Sequence, residues 1–365
     1  MQKTIVIDNN DYSKLSSFLG SLPEKKPFLV CDGSYGFLRV KDVFNSLPDV
    51  VSFSRFTPNP DYSSVEEAVR LYREKSCDCV IAVGGGSAID LAKCVKAYVT
   101  MPEDSLYLEQ EIKENGIPLI ALPTTAGTGS EATRYAVIYY QGNKQSIAHT
   151  SLIPSTVVFD SSVLATLPEY QRKSTMLDAL CHSVESFWSV NSTDESKEYS
   201  KQAIGLILDN LDSYLNNEND GNKNMLKAAN IAGKAINITQ TTAGHAMCYK
   251  LTSLYGIAHG HAAALCVNRL MPYMIGNTDK CVDSRGSEYL GRMFYELAEI
   301  MGCADTEAMC DKFASLLKSL ALKAPEASQQ DIEILSDSVN PVRLKNNPVL
   351  LDKSSIETLY REILF

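Results

Sequence analysis

The sequence carries no excess of positive charge: 34 Lys and Arg stand against 44 Asp and Glu in 365 residues, a net charge of −10. That balance argues against a nucleic-acid partner, whose phosphates call for a basic surface. No apolar run approaches the roughly eighteen residues that cross a bilayer, and the start, MQKTIVIDNN, lacks the apolar core of a signal peptide. The sequence therefore predicts a cytoplasmic protein with no membrane partner. Its ten cysteines show no framework of spacings, and so long a chain needs no disulfide staples, so they are expected as reduced thiols, mostly in the core. Cys77 and Cys79 lack the second pair that a zinc ribbon requires. Internal repeats and low-complexity tracts are absent, as are GxGxxG and the GK[ST] of a P-loop.

What is present is an ordinary globular composition, 45% hydrophobic and 21% charged, at a length that suits two domains. In the first part short β-branched runs (FLVCD, VVSFSRF, CVIAVGG, IPLIALP, VVFD) alternate with stretches of helical period such as SSVEEAVRLYREKS and SAIDLAKCVKAYV. This is a βαβ rhythm, and it predicts a doubly wound, mostly parallel sheet over residues 1–167. Beyond Leu167 strand-like runs almost stop and long helical patterns take over, predicting an all-α domain over 168–365. Its most polar stretch, NNENDGNKN at 216–224, reads as a solvated connection between helices.

Four features carry chemistry. In VIAVGGGSAIDLAK an apolar strand ends at Gly84, Gly85, Gly86 and Ser87, and a helix begins at once. Glycines there let backbone amides approach an anion at a helix N-terminus. A second loop, PTTAGTGSEAT, offers Thr124, Thr125, Thr128 and Ser130 at the end of the next strand, although such residues are also ordinary caps and turn formers. Asp32, closing FLVCD, can accept from a ribose diol and repel a 2′-phosphate, favouring NAD over NADP; it can equally be a turn aspartate before glycine. Finally, LDALCHSVE sets Asp178 and His182 four apart on one helix face, and GHAMCYKLTSLYGIAHGH holds His245, His259 and His261. Taken alone, the Asp178/His182 pair reads more readily as a solvated polar face opposite the stripe Met176, Leu180, Val184 and Phe187. With a helix from His245 ending near Gly256 and the chain turning back, one carboxylate and three imidazoles form a set suited to Fe²⁺ or Zn²⁺.

Together GGGSAIDLAK, PTTAGTGSEAT, Asp178 with His182, and His245 with His259 resemble the iron-dependent alcohol dehydrogenase family, in order and over about residues 28–275. The resemblance implies an N-terminal dinucleotide-binding domain, a helical C-terminal domain and an active cleft between them. Asp178, His182, His245 and His259 fall on the family's metal ligands. Gly85, Gly86 and Ser87 fall on its pyrophosphate loop, and Asp90 on the aspartate closing GGGSxxD. Thr124 and Thr125 match the adenine- and ribose-side loop, with Thr128 and Ser130 further along it. Asn59 matches the PNP turn, and Asp32 the ribose acid. The implied cofactors are Fe²⁺ or alternatively Zn²⁺, with NAD(H) or NADP(H), and a homodimer is the family habit.

The sequence departs from the common pattern at four places. Tyr249 replaces a histidine four residues after the third ligand, and Arg134, Lys250 and His261 are basic beside site motifs. Surface charge at helix ends explains any one of them; three together suit an anionic substrate. Within the family the chain looks most like the branch that reduces phosphonoacetaldehyde to 2-hydroxyethylphosphonate, with Tyr249, His261, Arg134 and Lys250 as candidate substrate and proton-handling residues. The alternatives are an alcohol or diol dehydrogenase for uncharged short-chain substrates, a glycerol dehydrogenase or dehydroquinate synthase, and a non-catalytic nucleotide- or metal-binding regulator.

Overall fold

The five β-branched runs of the first part are strands of one sheet, joined by a sixth. In the computed structural model, which describes residues 2–24 and 26–365, the strands are β1 (Lys3–Ile7), β2 (Pro27–Cys31), β3 (Val51–Phe53), β4 (Cys79–Gly84), β5 (Leu119–Pro123), β6 (Tyr135–Tyr140), β7 (Asn143–Ala148) and β8 (Thr156–Asp160). Six of them form a wholly parallel sheet in the order β1-β8-β5-β4-β2-β3. Every residue of β2, β4 and β5 is buried. A sheet covered on both faces demands such unbroken apolar runs rather than alternation.

Two elements escape the sequence reading. KTIVI is the edge strand β1, paired with β8. YAVIYY and NKQSIA are an antiparallel hairpin, β6–β7, turned by Gln141 and Gly142, both at positive φ (51° and 74°). Paired left-handed residues are what a two-residue hairpin needs to match strand twist, and the glycine in YQGN was its only signal.

Two compact units partition the chain: Met1–Leu167 with Asn216–Asn230, and Pro168–Leu215 with Ile231–Phe365. In the first, the Tyr62–Glu74 helix buries Val65, Ala68, Val69 and Tyr72, the spacing of one helix face, and the Gly86–Tyr98 helix is buried along most of its length. The chain runs from β2 out to β3 and then back past β2 to β4. Strand order thus reverses between β2 and β4, and Asp32 and Gly85 follow the carboxyl ends of those two strands. In open α/β sheets ligands bind at such a switch point.

The second unit is helical. The polar stretch 216–224, which falls with the first unit, is only partly a connection, because the Asn219–Thr239 helix starts inside it. Polar residues in exposed opening turns do not oppose a helix whose later turns bury Met225, Leu226, Ala228 and Ala229. The Glu169–Trp188 helix packs against the Asp194–Asp209 and His259–Gly276 helices, and every residue from Met176 to Trp188 is buried. The solvated-face reading of Asp178 and His182 is therefore corrected: both lie inside, because a helix enclosed on all sides has no wet face to distinguish. Among the described residues no helix is long and apolar enough to cross a membrane.

Candidate active site

At the switch point the two glycine loops touch. Gly85 caps the Gly86–Tyr98 helix, and its amide donates to Asp32 Oδ2 at 3.0 Å. The other Asp32 oxygen accepts from the amide and hydroxyl of Ser34, so this acid both closes its own turn and braces the glycine loop. The Thr124 amide donates to the Gly84 carbonyl at 3.0 Å. A Cβ on Gly86 would stand 2.9 Å from Thr128 Cγ2, which is why glycine is required there. Ser87 Oγ accepts from the amide of Asn59, whose φ of 60° puts the PNP turn in the left-handed region.

Asp90 and Ser130 are joined to each other by a hydrogen bond, and Asp90 Oδ2 also accepts from the Val137 amide. Both are engaged in a brace behind the loop. The brace centres on Lys93, fully buried, whose Nζ donates to the carbonyls of Ser130 (2.6 Å), Thr133 (2.8 Å) and Tyr135 (2.6 Å). Burial pushes this ammonium down to about 8, against the pull of Asp90 and Glu131. GGGSAIDLAK thus encodes a lysine that holds the second loop, a role that sequence reasoning did not assign.

In the second unit Asp178, His245 and His259 bring one ligand atom each within 4.8 Å of one another. Asp178 Oδ1 and His245 Nε2 lie 3.4 Å apart, and both are buried without a hydrogen-bond partner. Buried polar atoms are nearly always satisfied, so two unpartnered buried atoms this close together, with His259 near, fit a cation site. His182 stacks on His245, with ring centroids 4.5 Å apart. It neighbours Asp178 but is not among the three that converge. Close approach is made possible by Gly260, whose Cβ would stand 2.0 Å from the Ser174 carbonyl and 2.7 Å from Asp178 Cβ. The turn preceding it is set by Gly256, left-handed at φ 69°, which ends the Ala243–Tyr255 helix.

Glu185, fully buried, is the residue the sequence reading missed. Its Oε1 accepts from Thr242 Oγ1 (2.6 Å), the Thr242 amide (3.2 Å) and the His245 amide (3.2 Å), and its Oε2 accepts from His245 Nδ1. Its signal was available: Asp178, His182 and Glu185 follow i, i+4, i+7, one helix face. Burial pushes the His245 imidazole down, but the carboxylates of Glu185 and Asp178 outweigh it and raise it to about 9. Burial likewise pushes Asp178 up, and the surrounding imidazoles hold it well below the carboxylate range instead.

The residues that set this chain apart divide among several environments. The Tyr249 ring stacks on His259 at 5.4 Å, and burial pushes its phenol well above its ordinary value. His261 is buried, with Nδ1 3.1 Å from Tyr170 Oη; burial holds it below its usual value, so it is neutral at pH 7 and not one of a cationic group. Lys250 is half-buried on the helix of His245 and makes no ion pair among the described residues. Arg134 belongs to the first unit and lies over the Tyr135 ring at 4.9 Å. Cys248 Sγ lies 3.5 Å from His259 Nδ1. All ten cysteines are free and seven are buried.

Comparison with known proteins agrees with this geometry. The model for iron-containing alcohol dehydrogenases matches residues 2–161, and that for the C-terminal part of the Fe-containing alcohol dehydrogenase family matches 173–364. A phosphonoacetaldehyde reductase of Streptomyces viridochromogenes is 30% identical over 339 residues, covering 89% of this chain and 85% of that protein. The probable alcohol dehydrogenase EutG of Salmonella typhimurium is 32% identical over 308 residues, covering 82% and 76%. Among solved structures, sulfoacetaldehyde reductase from Bifidobacterium kashiwanohense in complex with NAD⁺ superimposes with a TM-score of 0.87 and 25% identity, covering 99% and 96%. With both halves of the chain matched in sequence and nearly all of it in fold, this protein belongs to the iron-containing alcohol dehydrogenase family and is an oxidoreductase.

Proposed function

We propose that the protein reduces a small aldehyde bearing an acidic group, phosphonoacetaldehyde foremost, to the corresponding alcohol with NADH: aldehyde, NADH and a proton give alcohol and NAD⁺. In this reading residues 1–167 are the dinucleotide-binding domain and 168–365 the metal- and substrate-binding domain. The observation that carries it is the pair of orphaned buried atoms, Asp178 Oδ1 and His245 Nε2, beside His259. One carboxylate with imidazoles suits Fe²⁺ or Zn²⁺ and ill suits Mg²⁺ or Ca²⁺. Bound there, such a cation supplies Lewis acidity toward a carbonyl oxygen, and the nicotinamide supplies the hydride.

The chain's own residues do the rest. Asp178, His245 and His259, with His182 beside them, hold the cation, and Glu185 keeps the proton on His245 Nδ1 so that Nε2 presents its lone pair. Gly85, Gly86, Ser87 and the loop of Thr124, Thr125 and Thr128 are the pyrophosphate and nucleoside contacts, and Asp32 the ribose contact that favours NAD. Tyr249, kept protonated by burial, is a hydrogen-bond donor next to a ligand, and it and His261 are the proton-handling groups. Lys250 and Arg134 are cations for the acidic end. The acidic-aldehyde class is further supported by relatives whose names specify two-carbon aldehydes carrying a phosphonate or a sulfonate.

The test is steady-state reduction of phosphonoacetaldehyde, sulfoacetaldehyde and propanal by NADH and by NADPH, with protein reconstituted with Fe²⁺ or Zn²⁺. A kcat/KM that favours the acidic aldehydes over propanal is expected. Equal values for all three would replace this reading with that of a dehydrogenase for uncharged substrates.

A further inference from the structure

Four arginines of this protein that lie over aromatic rings commit their donors elsewhere as well. Arg55 over Phe53 bonds Glu67, and Arg172 over Tyr214 bonds the Tyr214 carbonyl. Arg73 over Tyr107 reaches Glu103 and three carbonyls, and Arg285 over Tyr289 grips Asp283. Arg343 differs. Its guanidinium carbon lies 5.2 Å from the centroid of the Tyr249 ring, and it is half-buried. Among the described residues no carboxylate, carbonyl or hydroxyl accepts from its side chain.

A cation–π contact serves the face of a guanidinium but leaves its five in-plane N–H donors unused. None of its nitrogens is among the buried unpartnered atoms, so those donors are open to a ligand, and the ring beneath this guanidinium is itself stacked on His259. The support is firm. Asn340 Oδ1 accepts from the Val342 amide at 2.9 Å, and Asn346 Nδ2 donates to the Thr241 carbonyl at 3.1 Å. Asn340 thereby caps the Pro341–Leu344 turn, and Asn346, three residues past Arg343, ties this stretch to the segment that opens the helix of His245 and Tyr249.

We propose that Arg343 recognises the acidic end of the substrate, its planar fork pairing with phosphonate or sulfonate oxygens while the carbonyl end lies at the Asp178/His245/His259 cluster. This rests on the acidic-aldehyde reading above. One methylene separates the carbonyl carbon from phosphorus or sulfur, so the anion of a substrate held at the cluster falls only a short step away. The guanidinium carbon is 5.2 Å from the Tyr249 centroid, and that ring is 5.4 Å from the His259 centroid. A tetrahedral anion with several equivalent oxygens matches the fork in two-point fashion, which a lysine point charge does not.

The test uses metal-loaded full-length protein as wild type, Arg343→Gln and Arg343→Lys. Kinetics with phosphonoacetaldehyde and propanal are joined by calorimetric binding of phosphonoacetate to the NADH complex. Melting temperature and NADH affinity serve as checks on folding. Expected for Arg343→Gln is a KM for phosphonoacetaldehyde raised by about 10- to 100-fold, little change for propanal, and lost phosphonoacetate binding, with partial recovery in Arg343→Lys. If the wild type prefers the acidic aldehyde and Arg343→Gln keeps that preference, this inference fails and the functional reading stands. If the wild type shows no preference, both fail. Equal loss on both aldehydes also overturns the inference, since it would make Arg343 a support for Tyr249 only.

Discussion

Glu185 and His245 form a carboxylate–imidazole pair in which both carboxylate oxygens are engaged. One carboxylate oxygen gathers three donors at the start of the Ala243–Tyr255 helix, and the other takes Nδ1 of the imidazole. The consequence is that Nδ1 keeps its hydrogen on the Glu185 side, so Nε2, 3.4 Å from Asp178 Oδ1, is the nitrogen that must give up its proton to a cation. Partners of this kind typically change metal affinity by about 10- to 100-fold when removed. Glu185→Gln should lower Zn²⁺ affinity as much as Glu185→Ala does. With its oxygen held by Thr242, the amide NH₂ would face Nδ1 and move the imidazole hydrogen to Nε2. Competition with a chromophoric chelator measures this, and wild-type affinity in Glu185→Gln would refute it.

Metal affinity should depend on pH through His245. In the metal-free chain this imidazole is raised to about 9 by Glu185 and Asp178, against the effect of burial. The stabilisation from that ion pairing is fully present below about 6.5, the ordinary histidine value, and is lost as pH rises through about 9. A cation must displace the proton, so apparent affinity should climb about tenfold per pH unit across that window. Calorimetry in buffers of different ionisation enthalpy would register the released proton, and a flat profile with no release would contradict the pairing.

Gly260→Ala should separate the two helices that carry the ligands. The added methyl meets the Ser174 carbonyl at 2.0 Å, a backbone atom that cannot swing aside. A loss of roughly 1–3 kcal/mol is expected from such overpacking, together with loss of bound metal as His259 moves from Asp178. Denaturant melts with metal analysis test this; a variant of wild-type stability and full occupancy would show that the contact relaxes freely.

Lys93→Met should harm the first unit and leave the metal in place. It strips three buried carbonyls of their donor and leaves Asp90 without its cation, a change of the kind that costs about 3–5 kcal/mol. NADH affinity, read by fluorescence, should fall because the loop 130–135 loses its anchor, while zinc content stays at the wild-type level. Unchanged NADH binding in a folded Lys93→Met would separate this lysine from the nucleotide site.

The parallel sheet, its crossover helices and the change to an all-helical second part are local in origin. Strands such as CVIAVG and IPLIALP announce burial on both faces by lacking any polar alternation, and the glycine run after β4 needs only its position between strand and helix to read as an anion loop. The hairpin β6–β7 and the edge strand β1 were harder. One rests on the left-handed pair Gln141 and Gly142, and the other on a five-residue run beside the chain terminus. The candidate metal site was signalled by spacing, four residues from Asp178 to His182 and fourteen from His245 to His259, and Asp178, His245 and His259 converge. Its immersion was not: the Glu169–Trp188 helix carries polar residues that periodicity assigns to solvent, whereas neighbouring helices cover them.

By itself the sequence pointed to the residues expected at metal and nucleotide, because ligand chemistry and loop geometry depend on residue type and short spacing. Only the tertiary structure decided that Glu185 fixes the tautomer of His245, that Lys93 holds the second loop, that His261 is neutral, and that Arg343 joins Tyr249 beside a ligand. Each of these depends on burial and on partners distant in the chain, and both arise only when the chain packs.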